Sequence, residues 1–165
     1  MRTFRVAAVL AALTMTTMPT LSADLTPSAI RGLLEQQDAV AVVQSFDDAT
    51  WTAYLAHVEA GDRGWIDLVP LLADGTDAGT SESLIITLSR ALRANPAGVL
   101  SILAADHYSP ADICGDNDIE VSALEAVRFI DEALVKVAAV MDPALSQARN
   151  ACLMELGDAR ISALI

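Results

Sequence analysis

His57 and Glu59 form an H-x-E pair, one half of the zinc-deaminase signature, in which a histidine ligates the metal and a glutamate moves the proton. The other half, P-C-x-x-C, does not follow. Two positions apart on a helix, the two side chains also point about 200° away from each other. A surface or partly buried histidine without a metal is the expectation. Asp116, Asp118 and Glu120 stand at alternate positions in DICGDNDIE, as calcium ligands do. The glycine that such a loop needs for its sharp turn is missing, because Glu120 and Val121 stand there, and the oxygen count is low. A solvated turn whose acids favour the dipole of the following helix accounts for them better.

The chain has no H-E-x-x-H, no G-x-S-x-G, no Walker loop and no dinucleotide glycine fingerprint, so neither an enzyme nor a cofactor is expected. The alternative is a hydrolase with an unrecognised carboxylate pair, since 22 acids offer many pairings. None of them stands in an apolar setting that would raise its pKa.

The most particular stretch is DGTDAGTSES, residues 74–83. Asp74, Thr76, Asp77, Gly79, Thr80 and Glu82 bring backbone amides and hydroxyls to a helix start, where a small anion or a peptide carboxylate could dock. Their own negative charge argues that the amides serve these side chains instead, as turn and cap. Trp51 and Trp65 are candidates for an added aromatic stacking surface, although their helical spacing also suits core positions.

Two cysteines in a chain expected to be exported point to a Cys114–Cys152 disulfide. With the last two long helices antiparallel, Cys152 lies about 15 Å back from the turn at Asp142, level with residue 131. Ile119 is then about 18 Å further on at the same rise per residue. The five residues from Cys114 to Ile119 span at most ~17 Å. Cys114 therefore reaches Cys152 only if its segment folds back along the helix. A reactive Cys152 is not expected, because an apolar helix face solvates a thiolate poorly.

The elements that must hold these residues read as helices throughout. Thr26 and Pro27 start the first; Asp38 caps a second, with Val40, Val43 and Phe46 as its apolar face. Asp47 or Asp48 opens a third, in which Trp51, Tyr54, Leu55 and Val58 share one face, and Gly61 closes it. Asp62 caps a short helix bent at Pro70. Gly79 or Thr80 begins one that buries Leu84, Leu88, Ala91 and Leu92, and Asn95 and Pro96 divide it from the next. Residues 107–118 have loop composition. The longest helix carries Leu124, Val127, Ile130, Leu134, Val137 and Met141 inward, with Arg128, Glu132 and Lys136 as i, i+4 charge pairs outside. In the last, Leu145, Ala148, Cys152 and Leu156 face inward and Gly157 ends it. The expected fold is a single all-α domain over residues 24–165: an irregular bundle of stacked antiparallel helical hairpins, HEAT-like at most, with one disulfide.

Residues 1–23 read as a secretory signal peptide: Arg2 and Arg5, a short apolar run from Val6 to Leu13, and small residues ending at Ala23. The expected location is periplasmic or secreted, with no stable membrane insertion after cleavage. Removing these two arginines from ten Lys and Arg leaves eight bases against 22 acids, a net charge of about −14. Such a chain repels phosphate backbones, which excludes nucleic acid as a partner and favours an envelope or exported protein, basic for preference.

GDRGWIDLVPLL, DGTDAGTSESL and ALRANPAGVLSIL together resemble a pattern in small exported bacterial proteins of unknown function, all-helical and with a cysteine pair toward the C-terminal half. The resemblance covers Trp51 to Leu103, with the cysteines beyond, and implies a fold and a compartment but no catalytic residue. The function expected is a periplasmic helical binding or scaffolding protein. A further alternative is an immunity or inhibitor protein against a basic periplasm-acting toxin or lysozyme-like enzyme.

Overall fold

The computed structural model describes residues 25–117 and 121–164, so the leader expected at 1–23 lies outside the described residues, as do Asp118 and Glu120. Among the described residues there are helices, turns and no strand. Short side chains start most of the helices, each satisfying an amide that the first turn leaves without a partner. Thr26 caps α1 (Pro27–Leu34), Asp38 caps α2 (Ala39–Gln44) and Asp47 caps α3 (Asp48–Glu59). Asp77 caps α6 (Ala78–Ala91), Asn95 caps α7 (Pro96–Ala104) and Ser122 caps α9 (Ala123–Ala138). Between α3 and α6 lie two single turns, α4 (Arg63–Ile66) and α5 (Val69–Leu72). Pro70 stands in the first turn of α5, so the expected bent helix is two helices.

Gly61 turns the chain out of α3 at φ +82°, and a Cβ there would stand 2.9 Å from the Cβ atoms of both Ala94 and Asn95. Asn95 Nδ2 also donates to the Gly61 carbonyl at 2.8 Å. This joins the C-terminal ends of α3 and α6, while Trp51 and Thr80 share a cleft at their other ends. The two helices therefore run side by side in the same direction. α9 and α10 (Ser146–Ser162) are antiparallel: Arg160 meets Asp131, and Arg149 Nη1 donates to the Val140 carbonyl at 2.8 Å. One apolar cluster runs from Ile30 in α1 to Ala159 in α10.

Several boundaries and faces differ from expectation. The segment 107–118 contains a short helix, α8 (Pro110–Cys114), opened by a reciprocal cap between Ser109 and Asp112. α6 starts at Ala78, one residue before Gly79, with Asp77 as its cap. In α2 it is Val42 that is buried, and Val40 is 44% exposed. The backbone of Gly75 presses against Ala39, which sets how this six-residue helix is rolled. α9 buries Ala126, Ile130, Ala133 and Val137, which turns Leu124 outward. Met141, just past its end, is exposed as well. The small alanines let α9 approach its neighbours closely, so the helix rolls toward them. Glu132 leaves its expected i, i+4 partners for Arg93, 3.6 Å away. α10 runs through Gly157 to Ser162, because a helical glycine costs only ~1 kcal/mol and Leu156 and Ala159 are buried on either side of it.

Candidate functional site

The end of α2 and the first turns of α3 and α6 meet around a cleft of about 110 Å³ lined by Val43, Phe46, Asp47, Asp48, Trp51 and Thr80. Its floor is aromatic. Phe46 and Trp51 lie 6.3 Å apart, centroid to centroid, and both are half-buried. Behind them the rings continue into the core, from Trp51 to Tyr54 at 5.4 Å and from Tyr54 to Trp65 at 5.9 Å.

Its rim is acidic. Asp47 Oδ1 accepts the Thr50 amide at 2.8 Å, and Asp77 Oδ1 accepts the Thr80 amide at 2.9 Å, while Thr80 Oγ1 accepts the Asp77 amide at 2.9 Å. The Thr50 hydroxyl and amide hold Asp47 below the ordinary aspartate range, and the Thr80 amide and hydroxyl do the same for Asp77. Both carboxylates are thus charged and already oriented, with Asp48 exposed beside them.

This arrangement speaks against the small anion or peptide carboxylate expected at the loop. The Thr80 amide is occupied by the protein's own carboxylate, so what the rim presents outward is negative charge. A cation suits it and an anion does not. Of these loop residues Thr80 lines the cleft; Asp74, Asp77, Gly79 and Glu82 are exposed along the loop, and Thr76 turns its hydroxyl back to the Ala73 carbonyl at 2.7 Å. Of the two tryptophans, only Trp51 belongs to an accessible surface. Trp65 is 6% exposed, walled in by Tyr54 and by the ring of His57, so the paired aromatic surface does not form.

His57 stacks on Trp65 at 4.4 Å, with the ring planes within 3°. Its Nδ1 is 2.8 Å from Asp62 Oδ2, which leaves Asp62 without a capping bond to α4. The partner of His57 is therefore Asp62 and not Glu59. Among the described residues no three His, Cys, Asp or Glu side chains gather as a metal would require. Cys114 and Cys152 are joined, with Cα atoms 5.3 Å apart and both fully buried. The reach that a loose loop could hardly span is met by α8, which packs along α10.

The Tyr54 hydroxyl, buried and without a hydrogen-bond partner among the described residues, gave no sequence signal. Burial first, and Tyr108 second, push its pKa upward. Tyr108 is raised too, by burial and then by Asp112 and Asp74. An orphan hydroxyl of this kind depends on which residues close over α3, and nothing in the local pattern of α3 announces that.

Comparison with protein-family models, with curated proteins and with solved structures finds no match for this chain.

Proposed function

We propose that this chain is an exported helical binding module that receives a basic segment of a partner protein at the acid-rimmed aromatic cleft. The observation that carries this is the juxtaposition of Phe46 and Trp51 with Asp47, Asp48 and the capped start of α6. A lysine or arginine laid on the Trp51 face gains a cation–π contact, and two aspartates stand at the opening to receive its charge. A net charge of about −14 steers such a partner in and makes the encounter salt-sensitive. An immunity or inhibitor protein against a basic exported toxin or lysozyme-like enzyme is one form this module would take.

Export is supported by the leader pattern, by the disulfide, and by the described residues, none of whose helices is long and apolar enough to cross a membrane. Binding is favoured over acid catalysis by the direction of the carboxyl shifts. Asp47, Asp77 and Glu125 are all pushed down by their capping bonds, the opposite of what a general acid needs.

Calorimetry with an Arg- and Lys-rich peptide, and with lysozyme as a basic protein probe, tests the reading. Binding should weaken steeply with salt, perturb Trp51 emission and fall about tenfold in Asp48→Asn, a residue no cap depends on. An acidic peptide binding equally well, or Asp48→Asn and Trp51→Phe both binding as the parent does, would sink it.

A further inference from the structure

α9 leaves a second surface unexplained. Opposite its buried face, Leu124 is 81% and Val135 70% exposed. With Val127 they line a shallow groove of about 560 Å³, together with Arg93, Arg128, Asp131, Glu132 and Lys136. Leu124, Arg128, Asp131 and Val135 fall at i, i+4, i+7 and i+11, one continuous stripe on the helix. Along it the order is apolar, positive, negative, apolar. Within the chain Glu132 is paired with Arg93 and Asp131 with Arg160, while Arg128 lies over the Phe129 ring at 5.3 Å, makes no ion pair within 4.0 Å among the described residues and acts on Glu125 through its charge.

That order is complementary to itself when reversed. A second α9 laid antiparallel sets Leu124 against Val135 and Arg128 against Asp131 and Glu132, and two-fold symmetry makes each contact twice. A parallel setting brings Arg128 against Arg128. We propose that the occupant of this groove is a second copy of the chain, paired α9 to α9 in an isologous dimer. α9 is only about 24 Å long, and one helix pair falls at the low end of specific interfaces, so the dimer is a concentration-dependent one. Salt acts on it with the sign opposite to that at the cleft. Two chains of about −14 repel each other at long range, and screening that repulsion strengthens the dimer.

The test uses the purified protein and two exposed cysteine variants, Leu124→Cys and Val135→Cys. Sedimentation should show a concentration-dependent dimer that tightens as salt rises from about 0.02 to 0.3 M, and Leu124→Glu should raise its dissociation constant at least about tenfold. On mild oxidation, a mixture of the two cysteine variants should give the 124–135 crosslink in preference to either self-crosslink. A monomer at every concentration would overturn the proposal. Self-crosslinking of Leu124→Cys alone would overturn it equally, because it would show a parallel pairing.

Discussion

Residues 25–104 and residues 105–164 solve the same problem, burying aliphatic helix faces in a chain poor in aromatics, by different means. The first region uses short helices, most with its own side-chain cap, wrapped around a string of rings from Phe46 to Trp65. Its 35–82 stretch holds ten acids and Arg63 as the one Lys or Arg. The second region uses two long antiparallel helices with α8 bonded covalently to α10, and it carries Arg128, Lys136, Arg149 and Arg160. The region with the candidate binding cleft thus depends on many small local bonds. The region without it has the covalent clamp and the self-complementary stripe. A surface assembled from loop ends and first turns can be adjusted residue by residue, provided something else secures the fold beneath it.

The strongest way to break this comparison is to remove the clamp. Cys114→Ala with Cys152→Ala opens a loop with a sequence separation of 38 and should cost about 4 kcal/mol in urea unfolding. Amide exchange should then quicken in α8 to α10 well before α3 and α6. Equal quickening everywhere would mean one indivisible unit and end the distinction.

Next is Gly75→Ala, whose new Cβ would overlap the Ala39 carbonyl. Because backbone must move to make room, about 3 kcal/mol should be lost, and cleft binding should fall with it while the disulfide forms normally.

Tyr54→Phe has the opposite sign. It removes a buried hydroxyl that has no partner and should stabilise the fold by about 1 kcal/mol. The folded pKa of Tyr54 is raised, so its contribution to stability is complete below the unfolded value near 10 and lost as pH climbs above it. The parent should therefore weaken on alkaline titration more than Tyr54→Phe does, as followed by thermal melts between about pH 8 and 11.

The smallest effect belongs to Asp77→Ala, a single exposed cap. The folded pKa values of Asp77 and Asp47 are depressed, so their contribution is present above the unfolded value near 4 and disappears as pH falls below it. The difference between parent and variant, small at pH 7, should vanish by about pH 2 in the same melts.

Much of the first region was legible because its signals are local. The capping bonds of Thr26, Asp38, Asp47 and Asn95 and the left-handed turn at Gly61 are made within a few residues, and each falls where the local pattern predicts it. α8 was missed because HYSPADIC has loop composition, and five residues make a helix only when Ile113 and Cys114 have a core to enter. Of the cleft, Trp51 and Thr80 are candidates on sequence grounds, but nothing in their spacing joins them. They meet because α3 and α6 run side by side.

The chain alone determined an all-helical fold, its caps and the cysteine pair, since apolar periodicity, amide capping and an even thiol count need no knowledge of distant neighbours. Only the tertiary structure decided which side of α2 and α9 is covered, that Trp65 is core while Trp51 is surface, and that Asp62 serves His57 instead of its own helix. Those outcomes turn on how closely a small residue such as Ala133 or Gly75 lets another segment approach, and that distance is set by residues far away in the chain.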